Sequence, residues 1–412
     1  MTRKFEFPRE GTRFLLYPKP RIVAGFDKPR LVHVDARPGS IGPGPSGRRL
    51  YVVDAWNKRP YRDPDTGAYD WRPPYPRRMR ALDPVRPNAE GHFDSVVPRI
   101  REFSQAALYA SVASVMAIWE HYLGRRLRWG TRGQRRLELI PRVKKLGANA
   151  WSGDGYIEFG FAGRDPAQPY AEDFDVVAHE VGHQFLKRVI GKAPADRREF
   201  MRKSHDEAGA DLVSLVAVLH FDYVVERVLA ETRGKLYSVN LVSEIGQYRR
   251  GRSGRRPGRL YFHDKTLRAP AVRAARRRGD KHTYAQPFLG AAFDVLVEIF
   301  EGHLVRRRLI SAELARNSTH ARAERDPAIH RKFAARYRLN PDGFGEALVE
   351  AAADFARLLA LAWQKSRRTG ATFSTVAANL VAADRRLHRG RHQQAIRRAF
   401  GRRRIVVRAP RP

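Results

Sequence analysis

Cysteine is absent from the 412 residues. That excludes disulfides and every thiolate-ligated metal site, and it singles out no redox compartment. Long hydrophobic runs are missing too. The longest, Leu212 to Leu219, falls far short of the roughly 20 residues that a bilayer-spanning helix requires, and it reads as a buried turn of helix. The opening MTRKFEFPREGTRFLLYPKP holds no apolar stretch of signal-peptide length, so the literal reading is a soluble cytoplasmic protein. Acidic residues are few, 43 against 79 basic ones, and the formal net charge is +36. Such a field favours nonspecific association with nucleic acid and other anionic surfaces. Of the basic residues 65 are arginines, scattered through every segment instead of gathered with aromatics, which argues against a dedicated nucleic-acid face. No internal repeat and no phosphate-binding glycine loop is present.

A hydrophobic fraction of 42% implies a globular chain, and the length suggests two or three domains. Residues 1–95 carry 14 of the 26 prolines and turn signals such as IGPGPSG and RDPDTG, with strand-like RLVHV (30–34) and RLYVVDAW (49–56) between them. They read as a loop-rich, partly β extension that wraps the rest. Residues 96–203 form a second unit. It has a helix over 99–123 stopped by Gly124 and a strand-like GYIEFGF at 155–161. From Ser204 to the end the chain is expected to be mainly helical: Leu212 to Leu229 buried on most sides, then Pro287–Arg308, Pro341–Lys365, and Ser374–Phe400 broken at Gly390. The Arg-rich passage 249–281 reads as a mobile loop and anion-binding patch, and 310–340 as a polar insertion.

The chemistry is concentrated at residues 171–212, AEDFDVVAHEVGHQFLKRVIGKAPADRREFMRKSHDEAGADL. Asp175 is expected to cap a helix that ends near Gly191, with Lys187 and Arg188 in its last turn. On it, His179 and His183 stand four apart, hence on one face, and offer two imidazole nitrogens to one ion. Glu180 beside them is suited to take a proton from a water activated by that ion, the pattern of a zinc peptidase. With 14 His and 20 Glu in this composition, HExxH arises by chance about 0.02 times per chain. A catalytic zinc keeps three protein ligands and one open position. Val189 stands where an HExxHxxGxxH protease has its third histidine, so the third ligand is sought on the next helix, where Glu207 is available. Ser204-x-x-Glu207 also matches a capping box. Asp211, one turn after Glu207, favours the ligand reading, because it could hold His179 in the right tautomer. His205 is a rival third ligand.

DVVAHEVGH followed by EAGAD resembles the thermolysin-like glutamate-zincins, strongly at 175–212 and more loosely over about 100–400. The resemblance implies an α+β, zincin-like fold. A mixed β/α N-terminal lobe would carry the HExxH helix, a mainly helical C-terminal lobe would follow, and the Pro-rich extension would precede both. It implies zinc on His179, His183 and Glu207, and an endopeptidase acting on peptide or protein substrates. Asn149 and Ala150 would form an edge strand that holds substrate backbone, and His282 in HTYAQPFLGAAFDVL would steady the oxyanion. Arg268 would lie near the pocket beyond the scissile bond. It also implies secretion. Two departures stand out: the His183–Glu207 interval is long and contains no tyrosine to bind the oxyanion. Asp175 matches a calcium-binding aspartate whose acidic companions are not evident, so calcium is doubtful. The alternatives are a zinc-binding pseudo-peptidase, an aminopeptidase of the same clan, and a basic nucleic-acid-binding protein.

Overall fold

The computed structural model describes residues 4–62, 68–69, 72–76, 81–131, 133–161, 167–193, 199–243, 265–319 and 326–407. Among them the chain is α+β, with six short strands and eleven α-helices. No helix among these residues is long and apolar enough to cross a membrane.

Strands β1 (Thr12–Leu16) and β2 (Arg30–Val34) pair antiparallel, and alternation in β1 turns Phe14 and Leu16 inward. Phe14 stacks on Phe93 and on Tyr109 of helix α1 (Arg101–Leu123). Strand β3 (Leu50–Val52) joins a four-stranded sheet with β4 (Leu137–Ile140), β5 (Ala150–Ser152) and β6 (Tyr156–Phe159) in the order β3-β4-β6-β5. The first three are parallel neighbours, whereas β5 runs antiparallel to β6 and forms an edge. The proline-rich first 95 residues therefore supply a strand to the sheet that leads into the HExxH helix. They also cover two buried carboxylates on it. Glu138 accepts from the Tyr51 and Tyr61 hydroxyls and the Tyr75 amide, and Glu158 accepts from Lys58 at 2.5 Å and from the Tyr61 amide.

Helix α2 (Phe174–Val189) follows the sheet. Its N-cap is Asp173 and not Asp175: Asp173 Oδ1 accepts from the amides of Asp175 and Val176. Asp175 is instead wholly buried, with Oδ2 2.7 Å from Lys19 Nζ, itself only 1% exposed. An ammonium thus occupies the carboxylate that the resemblance assigns to calcium. Gly191, with φ +98°, follows the C-cap Ile190 as expected.

Helix α3 (Glu199–Val218) begins before Ser204, which overturns the capping-box reading. Ser204 lies inside the helix and its hydroxyl donates to the Phe200 carbonyl. The apolar run 212–229 is two helices, because the chain turns at Leu219, His220 and Phe221 before α4 (Asp222–Thr232). Of the passage 249–281, residues 249–264 lie outside those described. Pro270–Arg278 is a helix, α5, with Pro270 in its first turn and Val272 and Ala275 buried. Helix α6 (Lys281–Arg306) starts six residues before the expected Pro287. Asp280 caps it by accepting from the Thr283 amide, and Pro287 sits inside the helix. Residues expected to be an insertion form α7 (Ala312–Ser318) and α8 (Pro327–Leu339). Helices α9 (Pro341–Gln364), α10 (Phe373–His388) and α11 (Gln393–Arg402) complete the chain, with the break at Gly390 as expected. One continuous apolar core runs from Phe14 and Trp119 through Phe185 and Phe293 to Trp363 and Phe400.

Replacing Lys19 by Met leaves the buried Asp175 carboxylate without its cation. The variant is expected to lose about 3–5 kcal/mol of stability in denaturant unfolding, and a loss below about 1 kcal/mol would contradict the assigned role.

Candidate metal centre

Helices α2 and α3 lie against each other at small residues. A Cβ on Gly182 would meet the Ala210 Cα at 2.7 Å, so only glycine permits this approach. Gly209 is similarly covered by Leu186. Arg202 on α3 donates to the Gly191 carbonyl and ties the end of α2 to its partner. The closeness matters because the side chains that must meet come from both helices. His179 and His183 project from α2, and Glu207 and Asp211 from the facing turns of α3.

His179 Nε2 and His183 Nε2 stand 3.1 Å apart. Glu207 Oε2 is 3.6 Å from the first and 3.8 Å from the second. Donors around a tetrahedral zinc with bonds of roughly 2.0–2.2 Å are separated by about 3.3–3.6 Å; the observed 3.1–3.8 Å brackets that range, so the three atoms fit one such ion. The chemistry fits as well: two neutral imidazoles and one carboxylate. Asp211 Oδ1 accepts from His179 Nδ1 at 2.7 Å, which fixes the tautomer that turns the Nε2 lone pair toward the centre. Exposure differs across the group. The Glu207 side chain is 2% exposed, His179 14% and His183 24%, so the centre opens on the His183 side. Glu180 is buried next to them, and its charge strengthens the hold of His179 on a proton.

The electrostatics separate the two histidines. Burial opposes a charge on His179, but the Asp211 carboxylate and its hydrogen bond outweigh burial and raise the pKa to about 9. Burial dominates at His183 and lowers it to about 3. Burial also works against Glu207, yet His183, His179, His282 and Lys281 hold its carboxyl well below the usual range.

Of the other expected residues, His282 joins the group: its Nδ1 lies 2.9 Å from Glu207 Oε2. Beside it Lys281 Nζ is 2.7 Å from Glu207 Oε1, a contact that the sequence reading missed. Both sit in the first turn of α6; His282 was expected at the site, whereas the helix start misplaced at Pro287 concealed Lys281. His205 faces away into the core, where Trp363 Nε1 donates to its Nε2 and Phe288 packs on its ring. It is no rival ligand.

Asn149 and Ala150 open the edge strand β5. The Asn149 carbonyl and the Gly153 amide bond inward to β6, so alternation turns the Ala150 and Ser152 backbone groups to the side on which no strand pairs among the described residues. Asn149 Oδ1 accepts from the Ala150 amide at 3.0 Å. Gln184, the residue after His183, donates to the Ser152 hydroxyl at 2.8 Å and to the Gly153 and Tyr156 carbonyls. It locks the edge strand to the HExxH helix and was also missed, since one glutamine on a helix gives no sign of its partner. Arg268 is exposed and lines a cleft of about 570 Å³ with Leu267, Arg397, Gly401, Arg404 and Ile405. None of the metal-centre residues lines that cleft.

The chain matches no protein-family model, and no curated protein matches it.

A proton and a metal ion compete for His179 Nε2. With the pKa of His179 raised to about 9 and that of His183 lowered to about 3, one proton must leave as an ion enters near neutral pH. Apparent zinc affinity should therefore rise about tenfold per pH unit from 7 toward 9 and then level off. Titration against a competing chelator would read this, and a flat profile would contradict it. Gly182→Ala pushes α2 from α3 and is expected to cost about 1–3 kcal/mol of stability and to weaken zinc binding. Unchanged zinc affinity in that variant would show that the helix contact does not set the ligand geometry.

Proposed function

We propose that the chain is a zinc-dependent endopeptidase of the zincin type. The observation that carries this reading is the convergence of His179 Nε2, His183 Nε2 and Glu207 Oε2 within 3.8 Å of one another, with Glu180 adjoining and an open strand edge alongside. Bound zinc would polarise the scissile carbonyl and lower the pKa of a water at its remaining position. Glu180, adjoining the ligands, would accept a proton from the attacking water and return it to the leaving amine. An extended substrate adds to β5 through the Ala150 backbone, with Asn149 at the start of the strand, so the polypeptide runs along the edge that Gln184 fastens to α2. His282, half exposed, and Lys281 lie beside Glu207 and would supply hydrogen-bond donors to the developing oxyanion. In this reading they stand in for the tyrosine that the His183–Glu207 interval lacks. Arg268 has no part in these steps.

One observation favours a second reading, zinc binding without hydrolysis. Two side-chain donors, Lys281 and His282, already lie on the ligand carboxylate Glu207, and donors committed there are less free for a substrate oxygen. Glu180→Gln separates the two readings. The peptidase reading predicts an unchanged zinc content and casein hydrolysis reduced by about 10²–10⁴-fold. Hydrolysis equal to that of the wild type would remove Glu180 from its role, and hydrolysis absent from the wild type itself would favour the second reading.

A further inference from the structure

A second group of side chains lies among the C-terminal helices and shares no residue with the centre on α2 and α3. Asp354 on α9, His388 at the last position of α10 and His392 at the N-cap of α11 each bring one donor atom within 4.8 Å of the others. The geometry points to a second binding site for a divalent transition-metal ion, zinc being the natural occupant of a set of two imidazoles and one carboxylate.

The backbone is shaped to produce this grouping. Helix α10 ends at His388, and the chain reverses through Arg389 and Gly390, both at positive φ (55° and 84°). His392 is thereby folded back beside His388, with ring centroids 5.2 Å apart and planes at 76°. The Asp384 carboxylate fixes that turn by accepting from the His392 amide at 3.0 Å. On the opposite side, His303 of α6 orients the third donor. Its Nε2 is 3.0 Å from Asp354 Oδ2, and its Nδ1 is 3.0 Å from Glu350. A histidine set between two carboxylates, one of them a ligand, is the outer support that metal sites use.

What marks the group as a ligand site is its unspent capacity. The Nε2 atoms of both His388 and His392 are buried with no hydrogen-bond partner among the described residues, while His392 is only 5% exposed and Asp354 8%. Buried imidazole nitrogens are normally satisfied, and one ion would satisfy both at once. The two histidines are four residues apart, as in HExxH, but here the spacing is realised across a helix break and not along a helix. An ion at this place would clamp α10 and α11 to α9, and through His303 to α6, which carries Lys281 and His282 at its start.

The test counts ions on the full-length chain, stripped with a chelator, reloaded with Zn²⁺ and analysed by plasma mass spectrometry. The wild type should hold two, and His179→Ala/His183→Ala should keep one. Zero ions on that folded double variant overturns the second site. A wild type and a double variant that each hold one would leave the second site standing and reject the first. Adding His392→Gln to the double variant should take the count from one to zero, and an ion retained there overturns the assignment. Should the triple variant fail to fold, X-ray absorption on the zinc-loaded double variant reads the donors directly. Two imidazoles with an oxygen support the site, and a shell without two imidazoles overturns it.

Discussion

The contact between α2 and α3 at Gly182 and Ala210 governs the arrangement of the whole candidate metal centre. A metal centre built from two helices needs its donors within a few ångströms of a common point, and side-chain length alone does not guarantee that. Removing a Cβ at the crossing lets the helix axes approach until Glu207 and Asp211 reach the two histidines from the facing side. Packing here comes before chemistry, because interiors this dense yield discrete arrangements and not gradual ones. Everything assigned to the centre inherits its spacing from that crossing: the tautomer of His179, the ionised Glu207, and the entry side at His183.

A second constraint fixes α2 from its other end. Two carboxylates, Asp173 and Asp175, stand at its N-terminus, both fully buried, and the segment that answers them lies some 150 residues earlier in Lys19. The cap and the ion pair divide the work. Asp173 satisfies the free amides of the first turn, and Asp175 holds the N-terminal extension in place. The extension further covers Glu138 and Glu158 and contributes β3 to the sheet. It is thus part of the scaffold that positions the HExxH helix, as well as a wrapping around it. The first β-pair, the sheet and the helices share one apolar core.

Much of this was legible in the sequence where the determining interactions are local. The four-residue spacing of His179 and His183, the helical period that sets Asp211 one turn beyond Glu207, the stop at Gly124 and the break at Gly390 all follow from short-range geometry. The errors occurred where a distant partner decides or where a nearer signal outcompetes the one that was read. Asp173 and Asp175 are equivalent as caps on local grounds, and only Lys19 settles which one faces the amides. Pro287 looked like a helix start, yet Asp280 supplies a cap strong enough to begin α6 a turn and a half earlier, which brings Lys281 and His282 to the centre. Ser204 looked like a cap, but α3 had already begun. Gly182 passed as an unremarkable position inside the HExxH pentapeptide, although its missing side chain is what the helix crossing requires. His388 and His392 carried the one local hint of the second cluster, a spacing of four, while Asp354 comes from another helix and gave none.

The central claim is that side chains from two neighbouring helices meet on one ion. It is tested most directly by crystals grown with zinc and measured on both sides of the zinc absorption edge. The account predicts an anomalous peak about 2.0–2.2 Å from His179 Nε2, His183 Nε2 and a Glu207 oxygen. Crystals of the zinc-loaded chain with no peak between those three residues would contradict it.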